Sequence, residues 1–117
     1  MNADQLKKRT KEFAHRSVKL AMSLPNNPLA NHIRNQMFRR STSVAANYRA
    51  VCLAQSKASF SSKMSIVIEE TDETAFWIEF LTEEGILSTK QCESLLDEAH
   101  ELTAIFVASR KTSQRKK

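Results

Sequence analysis

Between Leu29 and Glu84 the chain has neither glycine nor proline, and that absence limits its possible folds more than any motif does. Hairpins and sandwiches need turn residues about every ten positions. None are available here, so the stretch reads as long helices. Gly85, Pro25 and Pro28 are the only strong breakers in all 117 residues, and the fold class expected is all-α.

Asn27 and Pro28 supply an N-cap and a first-turn proline, and the helix they open is expected over 27–54. Along it Ile33, Met37, Ser41, Val44, Tyr48 and Val51 recur at gaps of three or four and form a core stripe. Gln36, Arg40, Ser43, Asn47, Ala50 and Ala54 make a second, smaller and more polar stripe beside it. A helix over 4–23 carries Leu6, Thr10, Phe13, Ser17, Leu20 and Leu24 inward and Lys7, Lys8, Lys11, His15 and Lys19 outward. The segment Ser23–Pro28 ends it, since a residue before proline is driven out of the α region.

Ser56 caps a third helix, 56–84, with Phe60, Met64, Val67, Thr71, Thr74, Ile78 and Leu81 as its stripe. Gly85 stands where a left-handed residue ends such a helix. Ser88 and Gln91 form a capping box for a fourth helix, 88–109, whose stripe is Cys92, Leu95, Ala99, Leu102 and Phe106. Residues 110–117 have almost nothing to bury and are expected to be a basic disordered tail. Short connections between four amphipathic helices predict an antiparallel up-down-up-down four-helix bundle over 1–109.

No apolar run is long enough to span a bilayer and no signal core follows the basic N-terminus, so a cytoplasmic protein without a membrane partner is expected. Cys52 and Cys92 sit inside helical patterns, which suits buried thiols better than a disulfide or zinc framework. The charge is strongly segregated. Residues 1–54 hold ten bases against two acids, net +8; residues 55–104 hold three against eleven, net −8; five bases follow. Neutralisation between neighbouring helices is expected for most of these charges, and any remainder is open to a nucleic acid.

Leu24-Pro25-Asn26-Asn27, Gln36-Met37, Arg40-Ser41, Ser43-Val44, Asn47-Tyr48-Arg49, Ser56, Phe60, Lys63, Glu69-Glu70-x-Asp72-Glu73 and Trp77 occur here in one order and spacing. This pattern, from about Phe13 to Lys111, resembles the bacterial four-helix bundle proteins encoded in intervening sequences of large-subunit ribosomal RNA genes. The resemblance implies a homopentameric ring with no enzymatic activity and no cofactor. More distantly, the chain is similar to the accessory variability protein of diversity-generating retroelements. That likeness implies a nucleic-acid enzyme as partner and a basic surface for RNA or DNA. Ala50 departs from the family, where an acid often follows the Asn-Tyr-Arg run.

If helices two and three are antiparallel about a turn near residue 55, residues whose numbers sum to about 110 lie level. Arg40 is then expected to meet Glu70, Asn47 to meet Lys63, and Gln36 to meet the turn of Glu73 and Thr74, as a polar ladder that fixes register. The candidate nucleic-acid residues are Lys7, Lys8, Lys11, Arg39, Arg49, Arg110 and Lys111; no aromatics interleave with them, so contact with phosphates is expected rather than base stacking. Arg9-x5-His15 is similar to the Arg and His motif of ribonucleases in the nucleotide-binding helical family shared by higher eukaryotes and prokaryotes, which gives a metal-independent ribonuclease as the alternative function. Glu70-x-x-Glu73 and Asp97-x-x-His100 fall short of the carboxylate and histidine set that a metal needs in such bundles, so no metal is expected. His15 and His32 read as surface residues. Phe38, Trp77 and Phe80 suit either the core or an oligomer interface.

Overall fold

The computed structural model describes residues 1–115, and these form four helices: α1 Ala3–Met22, α2 Pro28–Val51, α3 Lys57–Glu83 and α4 Thr89–Arg115. They run up, down, up and down in a rod of 50 × 20 × 20 Å, the expected architecture. Sequence neighbours pack along their lengths, while α1 and α4 touch only sparsely. The seam that closes the bundle is therefore its thinnest.

Local chemistry fixes each helix end. Asn2 and Gln5 form a reciprocal capping box at α1, and the side chains of Asn27 and Ser56 accept from the amides of Ala30 and Ser59. Gly85 takes φ +69°, which lets the Ile86 amide reach back to the Leu81 carbonyl at 2.9 Å and closes α3. At the end of α1, Arg34 reaches across from α2 and donates to the carbonyls of Ala21, Leu24 and Pro25 at 3.1, 2.6 and 3.1 Å. The Ala21 carbonyl also accepts from the Leu24 amide at 3.2 Å, and a cation is favoured beside the carbonyls of a helix C-terminus.

The core is a single layer of stripes. Phe13, Ile33, Met37, Val44, Val67, Ile78, Leu102 and Phe106 are fully buried, and Tyr48 stacks on Phe106 with ring centroids 5.6 Å apart. Thr10, Ser17, Ser41, Thr71 and Thr74 are buried among them. Each hydroxyl donates to a carbonyl one turn back in its own helix, so small polar residues enter the core without an unsatisfied group.

Two expected boundaries are corrected. Helix α2 stops at Val51 rather than residue 54, because the amides of Leu53 and Ala54 turn to the tighter carbonyls of Ala50 and Val51. The larger change is at the C-terminus, where α4 continues to Arg115 instead of fading after Ser109. The first turns of α3 support it: Arg110 Nη1 donates to Ser65 Oγ at 3.1 Å, and Gln114 Nε2 to Ser61 Oγ at 3.0 Å. Polar side chains can thus extend a helix along a neighbour without an apolar stripe. Lys116 and Lys117, the last part of the expected tail, lie outside the described residues.

Candidate nucleic-acid surface

The core stripe of α1 leaves Lys7, Lys8, Lys11 and His15 on its solvent side, and α2 turns Thr42, Ala46 and Arg49 toward them. Together they line an open groove of about 960 Å³ between the two helices, with Ala14, Val18, Ala45 and Ala46 as its apolar surface. Asp4 is the one acid lining it, 3.8 Å from the Lys7 ammonium. The groove is thus a cationic channel with small residues at its base, able to hold phosphates by charge but lacking any ring on which a base could stack.

Four of the seven expected nucleic-acid residues, Lys7, Lys8, Lys11 and Arg49, come together here. Arg39 is exposed on α2 but does not line the groove. Arg110 and Lys111 belong to the far end of α4, with Arg110 held on α3 by Ser65. In an up-down-up-down bundle the start of α1, the end of α2 and the end of α4 share one end of the rod, so these residues occupy different sides of the same basic end.

Of the polar ladder, Arg40 Nη1 lies 3.2 Å from Glu70 Oε1, and its Nε lies 3.4 Å from both Glu73 Oε2 and Gln36 Oε1. Asn47 does not meet Lys63. Its amide instead donates within α2, to the Ser43 carbonyl and hydroxyl at 2.9 and 2.7 Å, because that local partner is one turn away and costs no side-chain reach. Lys63 is half-buried on α3.

Arg9 reaches across the bundle to α4. Its guanidinium grips Glu98 on α4 with two bonds of 2.7 and 2.6 Å and lies 3.1 Å from Glu101, while Arg16 donates to Ser94 at 2.9 Å. The bond to Glu98 holds the guanidinium's proton more tightly than usual, against the opposing effect of burial. His15 lines the α1–α2 groove, so Arg9 and His15 point to different seams of the same chain. Among the described residues no three His, Cys, Asp or Glu side chains cluster as metal ligands do. His100 stands 3.6 Å from Glu79, and Cys92, 1% exposed, has its thiol pKa pushed up by burial.

The fold does not neutralise the segregated charge. Among the described residues, Arg9 and Arg40 are the only bases of α1 and α2 in ion pairs with α3 or α4. The aromatic residues also sort unexpectedly: Phe38, Trp77 and Phe80 are half-buried against the core, while Phe76, on the same face of α3, is 51% exposed. Trp77 sits edge-on to His32, 5.4 Å between centroids, with its Nε1 buried and unpartnered. Nothing in the sequence ties Arg9 to Glu98, since no turn joins α1 to α4. Phe76 was findable, because it shares the outward rhythm of Ile66, Glu69, Glu73 and Phe80.

Residues 4–108 match the family model of the 23S rRNA-intervening sequence protein. The chain is similar to the crystal structure of a protein of unknown function from the S23 ribosomal protein family of Bacteroides thetaiotaomicron, with 31% identity and a TM-score of 0.79 over 90% of this chain and 97% of that one. No curated protein matches. Among the described residues no helix is long and apolar enough to cross a membrane.

Proposed function

The chain belongs to the family of 23S rRNA-intervening sequence proteins, and from that premise we propose that it is a non-enzymatic, self-associating bundle that holds RNA or DNA by its phosphates and acts as an adaptor for a nucleic-acid enzyme. The observation that carries the nucleic-acid part is the convergence of Lys7, Lys8, Lys11 and Arg49 on one groove with Asp4 as its only acid. Arg110 and Lys111 add charge at the same end of the rod. Self-association would place several such ends together, and pooled sites bind a long polyanion far more tightly than one does. The separation of Arg9 from His15 counts against the ribonuclease reading within a single chain.

Fluorescence anisotropy with a labelled single-stranded RNA and a DNA of equal length, across a salt series, tests this. Neutralising about four phosphates predicts a slope near −3 in log K against log salt, with little dependence on sequence. Charge reversal at Lys7, Lys11 and Arg49 should flatten the slope and weaken binding, and the RNA should remain intact. Absence of binding at low salt would overturn the reading, as would RNA cleavage that disappears in His15→Ala.

A further inference from the structure

The acidic half of the molecule has an unusual centre. Phe76 points straight out of α3, half exposed, in contact with the Trp77 and Phe80 rings at centroid distances of 4.9 and 6.0 Å. One turn to either side along the helix stand Asp72, Glu73, which Arg40 holds, and Glu79, which faces His100, with Glu83 beyond. An apolar knob surrounded by carboxylates is poorly suited to solvent and repels both a polyanion and an identical face. It calls for a recess that is apolar inside and basic at the rim.

The chain carries such a recess. Where α1 and α4 pack thinly, a cleft of about 350 Å³ opens between them, with Leu20 and Leu95 as its apolar lining and Arg16 and Lys19 on the α1 side. No acid lines it. Arg16 donates to the neutral Ser94 hydroxyl, so its charge has no carboxylate partner among the described residues. The cleft is open to solvent, which gives a phenyl ring of a neighbouring molecule access to Leu20 and Leu95 from outside.

We propose that Phe76 of one copy enters the α1–α4 cleft of the next, with Asp72, one turn away on α3, against Arg16 and Lys19. The inference rests on the self-association proposed above and names the surfaces that carry it. Knob and cleft are different surfaces, so the contact is heterologous and every copy keeps one of each to offer. Both lie in the half of the rod that holds the end of α1, the end of α3 and the start of α4. Copies can therefore be related by rotation with little slide, the relation that a closed ring requires. Such a ring also brings the basic ends of all copies to one side.

Light scattering coupled to size exclusion provides the test. The wild-type chain should run as an oligomer at micromolar concentration, and Phe76→Asp, which breaks the knob, should run as a monomer with unchanged helical circular dichroism. Lys19→Glu combined with Arg16→Glu, which breaks the cleft, should do the same. Mixed in equal amounts, the two variants should form a dimer and nothing larger, because one intact knob and one intact cleft remain between them. An oligomer whose mass ignores Phe76→Asp overturns the assignment of surfaces and leaves the face to a different protein. A mixture that stays monomeric also overturns it. A wild-type chain that is itself monomeric overturns the self-association reading instead.

Discussion

Replacing Arg9 with methionine keeps the aliphatic stem on α1 and removes the guanidinium that ties it to α4. Exposed ion pairs contribute about 0.2–1 kcal/mol, and breaking a fully buried one costs about 3–5 kcal/mol. The Arg9 and Glu98 side chains are 20% and 14% exposed and doubly bonded, which places the loss between those limits, at about 2 kcal/mol. Glu101, 68% exposed, adds little. With an unfolding entropy of about 2.1 cal/mol/K per residue, 117 residues give about 0.25 kcal/mol/K, so the melting temperature should fall by about 8 °C. Thermal melts of Arg9→Met, Glu98→Gln and the double variant complete a double-mutant cycle. The double variant should lose clearly less than the sum of the singles, because neither partner is left stranded. Single losses below about 0.5 kcal/mol, or a coupling indistinguishable from zero, would refute the view that this clamp closes the bundle.

Phe106→Ala empties a fully buried position against Tyr48 and should cost about 3–5 kcal/mol in urea unfolding; a cost below about 1 kcal/mol would place the core elsewhere. Gly85→Ala puts a Cβ where nothing lies within 4 Å, yet at φ +69° the backbone itself resists, so a loss of about 1–2 kcal/mol is expected, and none would contradict the left-handed turn. Alkaline pH should destabilise the fold. Burial raises the pKa of the Cys92 thiol and, chiefly by desolvation and then through Cys52, that of the Tyr48 hydroxyl. Below their ordinary values of 9.0 and 10.0 both states keep these protons and stability is full; above them the unfolded chain releases protons first. Urea midpoints should therefore fall from about pH 9 upward, and Tyr48→Phe should blunt the upper part of that fall.

What the sequence made legible follows from what a helix repeats. The stripe from Ile33 to Val51 could be read because its rhythm and its burial have the same cause, and the caps at Asn27, Ser56 and Ser88 could be read because each bond closes within four residues. Arg40 and Glu70 were within reach too, since a short turn fixes the register of adjacent helices. Arg9 was out of reach because its partner lies across a seam that no turn sets. Asn47 defeated the level-pairing rule because a short side chain finds its own backbone first. The α1–α2 groove was half legible: the bases of α1 and the outward face of α2 could be seen separately, but their meeting depends on how the helices rotate as they pack.

The unneutralised halves of the rod also govern how it approaches a partner. A net charge of +5 describes the molecule only from far away; at close range, one flank attracts polyanions while the other repels them. Such a body is turned by the field of a charged molecule before the two touch. If the proposed polyanion partner is bound, the speed of its capture should thus fade with added salt more steeply than +5 alone would suggest.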